Sequence, residues 1–307
     1  MNNYRYYEIP VRYLGSGLQL RLPVHEFTGD EGPTVGITAC IHGDECVATE
    51  IARRTVEFLK GEENIHGTIK IMPVASPLGF EVGQRNTPVD KTNMNRIFPG
   101  NPDGMITDVT AHVIATQFLQ NLDTYIDIHS GGQDPVVDYA YVLNDEELSR
   151  ASLANILYRP VVDYEGTSVT CTKSDKTAAV TLECGGNCEP YAKKGLKAVV
   201  NMLRHKKAID GEAEKRDDQI MISHIEHVNP HHGGLFVPAL TYDAMNTIVE
   251  GRVVLGRVYN PMTLELLEEI RAPYDRNYII LMRGNINRIY GGDFSFMIGD
   301  LSSEIKE

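Results

Sequence analysis

The spacing of apolar residues changes along the chain, and the changes divide it into elements. Leu18, Leu20 and Leu22 alternate with Gln19 and Arg21, a period of two that predicts a half-buried edge strand in a β-rich entry over residues 4–30. Asp30-Glu31-Gly32-Pro33 predicts a turn, and the β-branched, apolar run Val35–Ile41 a buried strand. Past Glu45 the period lengthens. Val47, Ile51 and Phe58, with Ala48, Ala52 and Leu59 beside them, share one helical face, while Arg53, Arg54, Glu57 and Lys60 share the other. Gly61 follows as a C-cap. Thr68–Val74 reads as the next strand, then come a helix over Asp108–Leu122 and a strand over Tyr125–Ser130. Tyr139–Leu143 reads as a strand, Glu146–Tyr158 as a helix and Ala178–Cys184 as a strand. Leu196, Val199, Val200 and Leu203 form the stripe of a last helix ending near His205.

This alternation predicts an α/β fold: a mainly parallel or mixed sheet with helices on both faces, spanning residues 1–208. The pattern then breaks. Asp210–Asp218 reads as a charged, solvated linker. Short apolar runs (Val253–Gly256, Tyr278–Met282, Ser295–Ile298) follow between Gly-rich turns, with one helical candidate at Leu264–Ile270. Residues 209–307 are therefore expected to form a smaller, β-rich C-terminal domain.

Composition narrows the function classes. With 307 residues, 42% of them hydrophobic, the chain has ample material for a large core. A formal net charge of −13 and the lack of a basic run exclude a nucleic-acid backbone as the expected partner. No stretch approaches the roughly 18 apolar residues of a membrane helix, and the start of the chain is polar and tyrosine-rich, so the expected location is the cytoplasm. The odd set Cys40, Cys46, Cys171, Cys184 and Cys188 lacks zinc-finger spacing and is expected to be free thiols.

Candidate chemistry gathers at the ends of the apolar strands. The run Val35–Ile41 stops at His42, turns at Gly43 and passes Glu45 into a helix, which puts an imidazole and a carboxylate on one tight turn. Open α/β sheets hold ligands at that carboxyl edge. An imidazole and a carboxylate suit zinc, whose catalytic sites take three protein ligands and leave a position for water. His129, at another strand end, is the third candidate, with Asp127 on the same strand face to orient a ligand. Glu183 ends a further strand before Gly185-Gly186, where a carboxylate near an activated water serves as general base. Residues 75–107 form a long segment dense in Gly, Pro and Asn, of the kind that carries function. It supplies Arg85 and Arg96, whose guanidinium groups suit either a substrate carboxylate or a developing oxyanion.

These motifs occur together. His42-Gly43-Asp44-Glu45, the stretch Asn93-Met94-Asn95-Arg96-Ile97-Phe98-Pro99-Gly100, Asp127-Ile128-His129 and Thr181-Leu182-Glu183 follow the order of the succinylglutamate desuccinylase/aspartoacylase family, which this chain resembles over about residues 35–190. That family is a branch of the zinc-carboxypeptidase fold and hydrolyses N-acyl amino acids. The resemblance implies one Zn2+ per chain held by His42, Glu45 and His129, with Glu183 activating water. It also implies that Arg85 stabilises the oxyanion and that Asn95 and Arg96 bind a substrate carboxylate. The C-terminal part resembles the β-domain of larger relatives, whose pattern is similar to a biotinyl/lipoyl hammerhead, but no Met-Lys-Met is present to carry biotin. Tyr164, Tyr259, Tyr274 and Tyr290 are candidates for the aromatic residue that some relatives bring to the site, and His231-His232 before Gly233-Gly234 reads as a turn.

The expected function is zinc-dependent hydrolysis of the amide of a small N-acyl amino acid or related N-acyl amine. Beyond Arg85, Lys91 and Arg96 the segment offers no surplus of cations for an acidic acyl chain, which favours a short acyl group such as acetyl. Two alternatives stand beside this reading: a zinc carboxypeptidase acting on peptide C-termini, and a catalytically silent metal-binding scaffold. A small accessory β-domain serves assembly or caps a cleft, so a homo-oligomer is compatible with the chain.

Overall fold

The computed structural model describes residues 3–172 and 176–306. The chain opens with β1 (Asn3–Tyr13), β2 (Gln19–Thr28) and β3 (Asp30–Ala39), followed by α1 (Cys46–Lys60), β4 (His66–Met72) and α2 (Pro77–Val82). Next come α3 (Ile106–Val113), β5 (Thr124–His129), β6 (Val136–Val142), α4 (Glu146–Ala151) and β7 (Ile156–Tyr158). A short α5 (Ser168–Cys171), β8 (Ala178–Gly185) and α6 (Glu189–His205) complete this part. Past residue 208 lie β9 (Ile220–Ile222), β10 (Ile225–Val228), β11 (Gly234–Pro238), β12 (Ile248–Glu250) and β13 (Val254–Tyr259). The last strands are β14 (Leu266–Arg271), β15 (Arg276–Met282), β16 (Asn287–Ile289) and β17 (Phe296–Asp300).

A 13-stranded mixed sheet forms the spine, in the order β1-β2-β4-β3-β5-β8-β6-β15-β17-β10, with β7, β9 and β12 branching from it. Its middle strands β4, β3, β5 and β8 run parallel, and their partners on either side are antiparallel. Both faces are covered. On one, α1 lays down Val47, Ile51, Val56 and Leu59 with Val199, Met202 and Leu203 of α6 against Ile37, Ile71 and Ile128. Each such side chain contributes about 1.5–3 kcal/mol of transfer free energy. On the other, α3 and the π turn Ile114–Phe118 pack Val109, Ile114 and Phe118 onto Leu22, Val24 and Tyr125. Among the described residues no helix is long and apolar enough to cross a membrane.

Residues 209–306 are β-rich and divide between two sheets: β9, β10, β12, β15 and β17 join the main sheet, while β14-β13-β11-β16 form a separate antiparallel one. Four local expectations are corrected. Asp30–Pro33 is not a turn but the irregular start of β3, where Asp30 pairs with His66 and Thr34 with Thr68. The helix expected over Asp108–Leu122 loses its α ladder at Val113 and widens into the π turn. The helix expected over Glu146–Tyr158 ends at Ala151; Leu153 takes a left-handed φ of 60°, and the buried Ile156–Tyr158 pairs with β6 and β9 instead. Of Leu264–Ile270, Leu264 turns left-handed (φ 64°) and Leu266 onward is strand, because an available partner in β13 overrides the helical spacing of its leucines.

Candidate active site

The strands that carry the chemistry are neighbours. β3, β5 and β8 lie side by side and parallel, so the loops at their carboxyl ends open on one edge. Asp127 pairs with both Thr38 and Thr181, and His129 pairs with Glu183. Three segments distant in sequence thereby deliver their polar residues at one level. The turn after β3 leaves through Cys40 in a left-handed conformation (φ 55°) and passes Gly43. A side-chain carbon on Gly43 would meet the Gly79 carbonyl carbon at 1.9 Å, so the close approach of α2 requires glycine there.

His42, Glu45 and His129 are buried (2%, 1% and 1% exposed), and one ligand atom from each lies within 4.8 Å of the others. The His42 Nδ1 is 2.7 Å from Glu45 Oε1, and the His129 Nδ1 is 3.0 Å from Oε2 of the same carboxylate. The remote nitrogens are held by acceptors: His42 Nε2 donates to Asn93 Oδ1 (3.1 Å) and His129 Nε2 to Asp127 Oδ2 (2.9 Å). Thr38 donates to Asp127 Oδ1 at 2.7 Å, and Ser168 Oγ donates to Oδ2, which fixes that carboxylate in turn. With each Nε2 directed at an acceptor, both Nδ1 atoms converge on one carboxylate. Electron-pair donors packed this closely in a buried place repel unless positive charge lies among them, and two imidazoles with a carboxylate are a zinc-type donor set. The chemistry of the trio fits a divalent cation.

The electrostatics divide the two imidazoles. Burial, with Arg85 nearby, pushes His42 down to about 4. Burial acts in the same direction on His129, but the Asp127 and Glu45 carboxylates outweigh it and hold that ring well above its ordinary value. Glu45 is likewise opposed by burial, and the two imidazoles bring it well below the usual carboxylate range. Glu183 differs: burial, with Glu45 and Asp127 adding repulsion, lifts it to about 7, against the pull of His129 and Arg85. Its Oε2 is buried and has no hydrogen-bond partner among the described residues. A carboxylate of that affinity is matched to proton exchange near neutrality.

These groups open into a cavity of about 440 Å3, the scale of a small-molecule site. The structure brings the expected arginines to it. Arg85 donates from Nη1 to Glu45 Oε1 at 3.2 Å while remaining exposed, and Arg96 turns its Nη1 to the Asn95 carbonyl at 2.7 Å. Asn95 is buried, accepts from the Ser168 amide at Oδ1, and sets its Nδ2 3.3 Å from His129 Nε2. Of the four candidate tyrosines, Tyr164 lines the cavity; Tyr290 is 63% exposed at the surface. His231 and His232 sit on an exposed turn where both amides donate to Glu268.

Several contributors were not singled out from the sequence. Asn93, whose amide oxygen accepts from His42, lay inside the quoted motif and was findable there. Tyr139 and Tyr141 alternate on β6, so their spacing carried the signal that they share a face. The far wall of the cavity comes from His227, Leu281, Arg283, Asp293, Phe294 and Met297, which no periodicity marks. Arg283 anchors this wall: Nε donates to the Phe294 carbonyl (2.7 Å) and Nη1 lies 3.3 Å from Asp134 Oδ2, which is five residues past His129.

Comparison with known proteins adds three findings. Residues 31–206 match the family model described as the succinylglutamate desuccinylase/aspartoacylase catalytic domain. Over 298 residues the chain is 26% identical to the N-alpha-acetyl-L-2,4-diaminobutyric acid deacetylase of Halomonas elongata, covering 91% of this chain and 86% of that one. Among solved structures, a succinylglutamate desuccinylase from Silicibacter sp. TM1040 superposes with a TM-score of 0.82 at 24% identity, covering 97% of this chain and 94% of that chain. The product-bound ectoine utilization protein EutE (DoeB) of Ruegeria pomeroyi gives 0.83 at 21% identity, with the same coverage of 97% and 94%. At these identities the two structures establish a shared fold.

Proposed function

The chain belongs to the succinylglutamate desuccinylase/aspartoacylase family, and from that premise we propose that it is a zinc-dependent deacylase that hydrolyses the amide bond of a small N-acyl amino acid. The observation that carries this reading is the buried His42–Glu45–His129 trio with Glu183, a carboxylate at about 7, paired beside it on the next strand. His42, Glu45 and His129 would hold the ion, which when bound supplies the Lewis acidity that activates water and polarises an acyl carbonyl. Asp127 and Asn93 keep the two imidazoles in the tautomer that leaves Nδ1 free. Glu183 takes a proton from the attacking water and returns it to the nitrogen of the departing amino acid. Arg85 stabilises the charge that develops on the carbonyl oxygen. Arg96, held at the Asn95 carbonyl, receives the substrate carboxylate together with the Asn95 amide.

The Halomonas elongata relative is a deacetylase of an N-acetylated diamino acid, and that makes N-acetyl-diaminobutyrate the first compound to try. The test is metal analysis of the purified protein combined with a screen for released amine over N-acyl amino acids and short peptides, with and without chelator. About one zinc per chain and chelator-sensitive release from N-acetyl amino acids are expected. Release from peptides alone would make the protein a carboxypeptidase. A protein that takes up no zinc and hydrolyses neither class would overturn the reading.

A further inference from the structure

The turn that carries His42 and Glu45 depends on a residue more than 140 positions away. In α1 the N-cap position is taken by Glu45, yet its side chain makes no capping hydrogen bond. Its two oxygens are engaged by His42 and His129 instead. A helix whose cap residue is used elsewhere loses the side-chain acceptor for its first-turn N–H groups; here the Ala48 amide turns back to the Glu45 carbonyl at 3.1 Å, and another must look further. One of them, the Val47 amide, donates to Asn187 Oδ1 at 2.9 Å. The other end of the same side chain, Nδ2, donates to the Asp44 carbonyl at 2.9 Å. Asp44 and Glu45 share that peptide unit, so its orientation sets the direction in which the Glu45 side chain leaves the backbone.

Asn187 lies four residues past Glu183, in the loop between β8 and α6. That loop is also tied to the segment after His129: Gly131 N donates to the Gly185 carbonyl (2.8 Å) and Asn187 N to the Gly132 carbonyl (3.1 Å). The segment following the proposed base thus touches the loops behind all three proposed ligands. We infer that Asn187 is a positioning residue. Its amide caps α1 in place of Glu45 and holds the Asp44–Glu45 peptide, freeing the Glu45 carboxylate to act as a ligand in register with His129 and Glu183. The inference rests on the functional reading for its metal, but the clamp itself is observable without one.

The experiment compares the wild type, Asn187→Ala and, as a neighbour control, Cys188→Ala, whose side chain makes no cap bond to α6. Zinc affinity is measured by competition with a chromophoric chelator, and the exchange of the Val47 amide by NMR on the metal-free protein. Asn187→Ala should raise the zinc dissociation constant about tenfold or more, the scale of residues that orient ligands, and should speed Val47 exchange. Cys188→Ala should change neither. Faster exchange with wild-type zinc affinity would reduce Asn187 to a helix cap and overturn the inference; unchanged exchange would overturn it as well. Should the alanine variant fail to fold, Asn187→Asp keeps the acceptor towards Val47 but loses the donor to Asp44, and wild-type zinc affinity in that variant would overturn it too. A wild type that takes up no zinc sinks the functional reading first, and Val47 exchange then decides the clamp alone.

Discussion

The two walls of the cavity are built differently. The inner wall stands on the ends of adjacent parallel strands, and both imidazoles there are braced: Asn93 on His42, Asp127 on His129, with Thr38 and Ser168 in turn on Asp127. The outer wall consists of residues on β10, β15, β17 and the turn before β17, held by one ion pair, Arg283 to Asp134, and by the Tyr242 hydroxyl donating to the same aspartate at 3.1 Å. Bracing on the inner wall fixes tautomers and directions, which bond-making chemistry requires. The outer wall fixes a shape, which selects what enters. The contrast predicts that inner-wall variants lose rate or metal, whereas outer-wall variants lose substrate affinity and stability.

The sharpest separation should come from Glu183→Gln. The amide keeps the shape and the buried contact but cannot take a proton, so kcat should fall by about a hundredfold to ten-thousandfold. Zinc content and melting temperature should stay near wild type. Wild-type turnover would remove Glu183 from the chemistry and leave the inner wall as a metal site without a base.

Asp127→Asn probes the brace rather than the reactive group. Asp127 is fully buried and accepts the His129 Nε2 proton; an amide there no longer selects the tautomer that leaves Nδ1 as the donor. Zinc affinity should drop about tenfold to a hundredfold, read by chelator competition, while KM for any substrate the metal-loaded enzyme still turns over should change little. A variant that binds zinc normally would mean that the ring is oriented by its packing alone.

The same contrast governs what the sequence discloses. His42, Glu45, His129 and Glu183 were legible because each sits at or just past the end of a largely apolar strand, and a buried parallel strand can end in polar residues only where they have partners or work to do. The sheet and its helical cover were legible for the same reason: the period shifts cleanly from Val35–Ile41 to Val47–Leu59. Phe294 and Arg283 were not. They face the cavity because β15, with β17 beside it, pairs antiparallel with β6, and a pairing across more than 100 residues leaves no local trace. Leu264–Ile270 failed in the opposite direction, a helix-like spacing captured by a strand partner that the sequence does not announce.

Removing the outer wall's anchor should have a smaller effect of a different kind. Arg283 is 15% exposed and Asp134 8% by side chain, so the pair is largely out of water. Arg283→Met leaves Asp134 with the Tyr242 hydroxyl and frees the Phe294 carbonyl. About 1.5 kcal/mol of stability should be lost, the scale of a hydrogen bond to a charged group, as seen in denaturant unfolding. KM should rise severalfold with kcat nearly constant. Asp134→Asn measured alone and with Arg283→Met would give their coupling, and additive losses would show that the two sides of the pair act independently.

The smallest effect marks where the outer wall ends. Tyr290 precedes the Gly291–Gly292 turn that leads to Asp293, close enough in sequence to Phe294 to be mistaken for part of the wall. Its ring is 63% exposed, its hydroxyl receives only a long contact of 3.4 Å from Arg288, and that guanidinium sits 5.7 Å from the ring centroid. A solvated cation–π contact of this length contributes about 0.5 kcal/mol or less, and it survives loss of the hydroxyl. Tyr290→Phe should therefore leave stability within about 0.5 kcal/mol and kcat/KM within about twofold, whereas Tyr164→Phe, inside the cavity, should raise KM by more than that. A large loss in Tyr290→Phe would require the Gly291–Gly292 turn to fold inward over bound substrate, and the outer wall would then be a moving part rather than a fixed shape.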